Sequence, residues 1–197
     1  MVAISLEEYK QELEEYEQKR EQLIIQARIV LTKAKKLIFL VHKRSQIDTL
    51  KEQVIFEFET LRQLVLKAPL LQQEGMYSEA SQEYCEAILF SQLVLEQPLA
   101  KPKDLEVTTT DYLLGLCDVT GEIVRFVVQN TIERQFDRAL ILRNIVQDIY
   151  EQLLTLNQRH AHLRKKVDMV RWNLQKLDDI IYDLTIRDKL ENTHDKR

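Results

Sequence analysis

Apolar positions along the first forty residues recur with a helical rhythm. Ile24, Leu31 and Ile38 repeat every seven residues, as do Ala27, Ala34 and Val41. Leu23, Val30 and Leu37 widen that seam into the broad apolar face of a bundle helix. The pattern predicts one long helix from Ser5, a plausible N-cap with Glu7 and Glu8 in its first turn, to about Arg44. A second helix follows over about 46–66 and weakens past Pro69, and Gln73-Glu74-Gly75 reads as a stop. A third covers about 77–95. The segment 97–110 carries two of the three prolines and reads as a loop, with Thr109 or Thr110 capping a fourth helix over about 111–131. A fifth is expected over about 136–157 and a sixth over about 162–187, ahead of a polar tail. With no internal repeat and no linker, the expectation is a single all-α domain over 1–190, an antiparallel bundle of about six to seven helices, with 191–197 as tail.

Composition points the same way. Only 3 Gly and 3 Pro occur in 197 residues, too few to build hairpins, and the apolar fraction of 45% suffices for a core. The acidic N-terminus lacks the apolar stretch of a signal peptide, and no apolar run is long enough to span a bilayer. Cys85 and Cys117 form no CxxC pair and lie in apolar stretches, as buried thiols of a cytoplasmic protein do. A net charge of −4 argues against coating nucleic acid with the whole surface, though not against a local basic face.

The fourth helix adds an anomaly. Most of DYLLGLCDVTGEIVRFVVQN is apolar, yet Asp111, Gly115, Asp118, Glu122, Arg125 and Gln129 follow a 4-3-4-3 spacing along one face. Buried carboxylates are costly unless paired or bound to a cation, so the stripe implies a water-lined cleft or an ion-pair seam. The third helix carries Glu83 and Glu86 at i, i+3 among apolar neighbours. Facing Asp118 and Glu122, they would make a four-carboxylate cluster suited to Mg²⁺ or Mn²⁺, with Arg125 the nearest cation on the fourth helix. The plainer reading, a solvated acidic face, stands beside it. A ferritin-like di-iron site needs two Glu-x-x-His motifs, which the sequence lacks, and neither a Gly-flanked nucleophile turn nor a phosphate-cradling loop appears.

Basic residues form two groups. Arg28, Lys33, Lys35, Lys36, Lys43 and Arg44 lie on the first helix, and Arg159, Arg164, Lys165, Lys166 and Arg171 lie at the start of the last. Such faces are commonly just solvated. Two of them on an acidic protein could also line a channel for a single-stranded backbone. The candidates for that role are Arg28, Lys35, Lys36, Lys43, Arg125, Arg164, Lys165 and Lys166.

The segments KKLIFLVHK (35–43), QEYCEAILF (82–90), DYLLGLCDVTGEIVR (111–125) and LRKKVDMVRWNLQKLDDIIYDLTIR (163–187) resemble the translin family. The nuclease-bearing branch, translin-associated factor X, is the nearer one, and the chain looks like a compact prokaryotic homologue. The resemblance implies an all-α fold assembled into a hollow homo-oligomer, an octamer, that binds single-stranded RNA and DNA. It implies Mg²⁺-dependent endoribonuclease activity, with the Glu-x-x-Glu and D-x-TGE carboxylates Glu83, Glu86 and Asp118 as catalytic metal ligands. Glu122 is the neighbouring Glu of the second motif, taken as a ligand or water-orienting group. The ending YDLTIR is closer to translin itself, which keeps open a non-catalytic single-strand-binding role. A plain helical scaffold with ion-paired carboxylates is the third reading.

Overall fold

The computed structural model describes residues 6–136, 138–156 and 161–194, and every regular element among them is helical. The helices are α1 (Glu7–His42), α2 (Asp48–Lys67), α3 (Gly75–Val94), α4 (Thr109–Ile132), α5 (Ala139–Thr155) and α6 (Ala161–His194), with a short 3-10 helix at Pro69–Gln73. The chain divides into two compact units, Met1–Tyr112 and Leu113–Arg197, so that the first turn of α4 belongs with the first unit. None of the described helices is long and apolar enough to cross a membrane.

In the first unit α1 packs against α2 and α3. Leu23, Ala27, Val30, Ala34 and Leu37 are fully buried, which is the seam that the seven-residue repeat marks. Ile38 and Val41 of the predicted face are buried too, while Ile24 and Leu31 at its edge are half-buried. Phe58 of α2 stacks on Tyr84 of α3 at 4.1 Å between ring centroids and 9° between planes. Burial of these rings and of α3, including Ala87, Leu89 and Phe90, supplies the main stabilisation of this unit.

Helix boundaries follow local chemistry. Pro69 cannot continue α2, and its fixed φ starts the 3-10 helix. Gln73-Glu74-Gly75 is a junction as well as a stop: Glu74 is extended and α3 starts at Gly75. Tyr16 Oη and Arg20 Nε of α1 both donate to the Glu74 carboxylate, the latter at 3.0 Å, tying the junction to α1. The Tyr16 bond and then Arg20 hold the Glu74 carboxyl below its ordinary range. The cap of α4 is Thr108 rather than Thr109 or Thr110, because its Oγ1 accepts the Asp111 N–H at 3.0 Å. The expected Ser5 cap of α1 lies outside the described residues.

Three helices end on a residue other than glycine in the left-handed region. Arg44, Glu96 and Arg134 take φ of 50°, 57° and 59°. The next N–H in each case reaches back to a carbonyl of the last turn: Ser45 to Leu40 at 3.1 Å, Gln97 to Gln92 at 2.8 Å and Gln135 to Asn130 at 2.8 Å. These are Schellman ends built on side-chain-bearing residues.

In the second unit α5 packs on α6 through an apolar set that includes Leu142, Val146, Leu163, Val167, Val170 and Leu177. Asn173 of α6 donates from Nδ2 to Thr120 Oγ1 of α4 at 2.9 Å. Helix α6 runs to His194, into the segment assigned to the polar tail, whose last residues 195–197 lie outside the described ones.

Candidate functional site

The polar stripe on α4 changes character along its length. Asp111, at its start, is 6% exposed and structural. Its carboxylate accepts from Thr108 Oγ1 at 2.7 Å, from Gln82 Nε2 at 3.3 Å and from the Ser78 hydroxyl. The carboxylate thus ties the start of α4 to α3. Ser78, Gln82 and Thr108 have ordinary surface composition in the sequence, and only the Asp111 anomaly pointed toward them.

Asp118, two turns on, is half-buried and is contacted by Lys166 Nζ of α6. The ion-pair partner is therefore Lys166 and not Arg125, which instead approaches Glu122 at 3.7 Å across one helical turn. Thr120 points inward, fully buried, and donates to the Cys117 carbonyl at 2.7 Å while accepting from Asn173. A Cβ on Gly121 would stand 3.7 Å from Asn173 Nδ2, an ordinary contact. The D-x-TGE segment thus divides its labour: Thr120 anchors α4 to α6, and Asp118 and Glu122 line the less buried face. The helix is not buried all round, since Leu113 and Leu116 are half-buried and Val128 is exposed.

On α3, Glu83 and Glu86 are the half-buried residues of a stretch whose Tyr84, Cys85, Ala87, Ile88 and Leu89 are buried. The α3 sequence has no cation to offset them; α1 supplies one, with Lys35 Nζ 4.0 Å from Glu83. That pair is loose, because the lysine side chain is 63% exposed. Glu83 and Glu86 thus belong to the first unit, Asp118 and Glu122 to the second. Within either unit, among the described residues, no three His, Cys, Asp or Glu side chains gather as a metal-holding group.

Of the basic candidates, Arg28, Lys35, Lys36 and Lys43 are exposed on α1, and Arg125, Arg164 and Lys165 are exposed in the second unit. Lys166 is turned onto Asp118, and Lys33 is turned onto Glu57 at 2.7 Å. Arg159 lies outside the described residues. The two thiols have no part in this surface: burial pushes Cys85 and Cys117 up to about 12.

The translin family model matches residues 18–188, most of the chain. The chain belongs to the translin family. A curated relative in this family, the translin-associated protein X homolog of Schizosaccharomyces pombe, is 25% identical over 91% of the chain and 87% of its own length. The crystal structure of apo-NeC3PO superposes with a TM-score of 0.83 at 24% identity, over 92% of this chain and 98% of that one. The structure of AfC3PO in complex with duplex RNA gives a TM-score of 0.76 at 26% identity, over 93% and 98%.

Proposed function

We propose that this translin-family chain is a Mg²⁺- or Mn²⁺-dependent endoribonuclease of the cytoplasm that cuts single-stranded RNA within a homo-oligomeric shell, an octamer by family resemblance. The observation that carries the proposal is the state of four carboxylates on two helices. Glu83, Glu86, Asp118 and Glu122 are all half-buried, beside helix faces that are otherwise buried. Hard oxygen donors of this kind fit a small dication. Flexible cationic side chains already stand against them: Lys35 near Glu83, Lys166 on Asp118 and Arg125 near Glu122. Those side chains can swing into solvent, which would leave the carboxylates to a metal. A dication held there would activate water and offset charge on the phosphate under attack.

The chain's own basic residues supply strand binding. Arg28, Lys35, Lys36 and Lys43 form an exposed stripe on α1, and Arg125, Arg164 and Lys165 are exposed in the second unit. Such residues bind the backbone irrespective of base, with affinity that falls as salt rises. Single-stranded DNA is bound by the same residues without being cut. The AfC3PO–duplex RNA complex supports RNA as the ligand class and makes duplex RNA a necessary comparison.

The second reading, a non-catalytic protein that binds single-stranded RNA and DNA, draws on the same lysine. With Lys166 on Asp118, the acidic group is neutralised without metal. One experiment separates the two. Labelled single-stranded RNA, single-stranded DNA and duplex RNA are incubated with the protein in Mg²⁺, in Mn²⁺ and in chelator. The nuclease reading expects internal cleavage of single-stranded RNA that chelator abolishes. Tight, salt-sensitive binding with intact RNA in every condition would establish the binding-only reading instead.

A further inference from the structure

The seam of α1 does not stop where its covering helices stop. Leu6, Tyr9, Leu13, Tyr16 and Arg20 continue the 3-4 spacing of Leu23, Ala27, Val30, Ala34, Leu37 and Val41 without interruption. From Leu23 onward the seam is buried, but Leu6, Tyr9 and Leu13 are 65%, 58% and 64% exposed. They line an open groove together with Lys10, Glu14, Glu17 and Gln18. An α-helix rises about 1.5 Å per residue, so the seam from Leu6 to Tyr16 runs about 15 Å, exposed over Leu6, Tyr9 and Leu13 and half-buried against Glu74 at Tyr16 and Arg20.

The charge pattern identifies what covers it. The arm carries seven glutamates against three basic residues over 7–21, so it repels a nucleic-acid backbone. Farther along the same outer stripe the sign reverses, to Arg28, Lys35, Lys36 and Lys43. Of the acidic surplus, Glu7, Glu15 and Glu21 are exposed away from the seam, while Glu14 lines the groove. The positions that border the seam are balanced: Lys10 and Glu17 on one side, Glu12 and Lys19 on the other. Each side therefore has a positive and a negative residue seven apart, a self-complementary arrangement for two copies running antiparallel.

The geometry points to an antiparallel pairing of this arm with the arm of a second copy of the chain, across a two-fold axis. Leu13 faces Tyr16 of the second copy and Tyr9 faces its Arg20, each contact occurring twice, and the pairing ends there, because the next layer would set Leu6 on Leu23, which is already covered. Lys10 then meets Glu17 and Glu12 meets Lys19, four ion pairs in all. The Tyr9 ring lies over a guanidinium that Glu74 already orients at 3.0 Å. Glu17 gives up only its exposed contact with Arg20 at 3.5 Å. A register shifted by one heptad would put Leu13 on Tyr9, but would set Lys10 against Lys10 and Glu12 against Glu12, so it is disfavoured. The surplus glutamates of the outer stripe stay in solvent, where salt screens them. This pairing deepens the self-association proposed above by naming one of its contacts.

The test uses the full chain. Two differently tagged copies, one Leu13→Cys and the other Tyr16→Cys, are co-expressed, purified and mildly oxidised. Cys85 and Cys117 are buried and do not compete. The expected product is a covalent heterodimer of the two tags, in preference to either same-tag dimer. Lys10→Glu, added to both copies, should lower its yield about tenfold at low salt by turning two attractive pairs repulsive. Adding Glu17→Lys as well should restore it, since both charges are then exchanged. Light scattering of the parent chain separates the two levels of the proposal. An oligomer whose arms fail to cross-link, or whose cross-linking ignores Lys10→Glu, overturns the arm pairing and leaves self-association standing. A monomer overturns both.

Discussion

Lys166 of α6 sets its ammonium on the Asp118 carboxylate of α4, with side-chain exposures of only 20% and 23%. The pair joins two helices whose residues are 48 apart in sequence. It also puts a cation where the proposed function needs one. A lysine there keeps a half-buried carboxylate tolerable when no metal is bound.

Lys166→Met should therefore destabilise the protein by about 1–3 kcal/mol, the range for losing a hydrogen bond to a charged partner. The methionine keeps the aliphatic packing and removes only the charge. If Asp118 is a metal ligand, Mg²⁺ should raise the melting temperature of this variant more than that of the parent, because the competitor for the carboxylate is gone. Melts with Mg²⁺ and with chelator measure both effects. Equal Mg²⁺ shifts in the two proteins would count against Asp118 as a ligand.

The Schellman ends make a second stability prediction. Arg44, Glu96 and Arg134 hold left-handed φ values that cost a side-chain-bearing residue about 1 kcal/mol each. Arg44→Gly, Glu96→Gly and Arg134→Gly should each stabilise by up to about 1 kcal/mol, offset in part by glycine's greater freedom when unfolded. Denaturant midpoints of the three variants check this. A loss of stability in any one would mean that its side chain contributes more than the strain costs.

These ends also separate what the sequence made legible from what it did not. The seam from Leu23 to Val41 was legible because a seven-residue repeat has few other physical meanings. So were the carboxylates of α3 and α4, which stand out against apolar neighbours. The stops of α1, α3 and α4 were legible to within two residues, at His42, Val94 and Ile132, but not their form, because Arg44, Glu96 and Arg134 stand where glycine is the usual mark. Thr108, Thr109 and Thr110 are equally good caps by composition, and only the position of the Asp111 N–H selects the first. The Lys166–Asp118 pair leaves no mark in any local pattern, since it is created by the packing of α6 on α4.

Acidity and burial set a third prediction. Both thiols are pushed by burial from an ordinary value near 9 up to about 12. Their folded pKa lies above the unfolded one, so this contribution to stability is complete below about pH 8.5 and is lost as pH rises toward 12. Alkylation of Cys85 and Cys117 by iodoacetamide at pH 8 should be far slower in the folded protein than in denaturant, and should follow unfolding. Rapid labelling of native protein at pH 8 would contradict the burial of these thiols.

The buried Asp111 should behave quite differently from the proposed ligands. Asp111→Ala strands the hydroxyls of Ser78 and Thr108 and the amide of Gln82, all directed at its carboxylate. Buried donors without acceptors cost about 1–3 kcal/mol each, with water able to rescue the less enclosed ones. The expected loss is about 2–4 kcal/mol, seen as a lower denaturant midpoint, with RNA cleavage per folded molecule retained. A folded variant with parental stability would mean that the Asp111 cluster is not the joint it is described as.

Asp118→Asn carries the sharpest contrast between the readings. Asparagine is close in size and can still accept from Lys166, so the packing of α4 on α6 should survive. The charge is lost, and with it the ion pair that Lys166 makes with Asp118. Because Lys166 has a long stem and lies near the surface, its ammonium can turn to water, and the stability loss should stay near 1 kcal/mol. A hard dication gains far less from an amide oxygen than from a carboxylate, so RNA cleavage should fall to background while strand binding through Arg28, Lys36 and Arg164 persists. The binding-only reading expects no cleavage from parent or variant, with equal affinity for RNA. A pure scaffold expects neither cleavage nor binding, and melting temperatures that Mg²⁺ leaves unchanged in parent and variant alike. Cleavage, filter binding at two salt concentrations and thermal melts on the same preparations distinguish the three. An Asp118→Asn protein that cuts RNA as fast as its parent would remove Asp118 from the metal site and, with it, the main support for the nuclease reading.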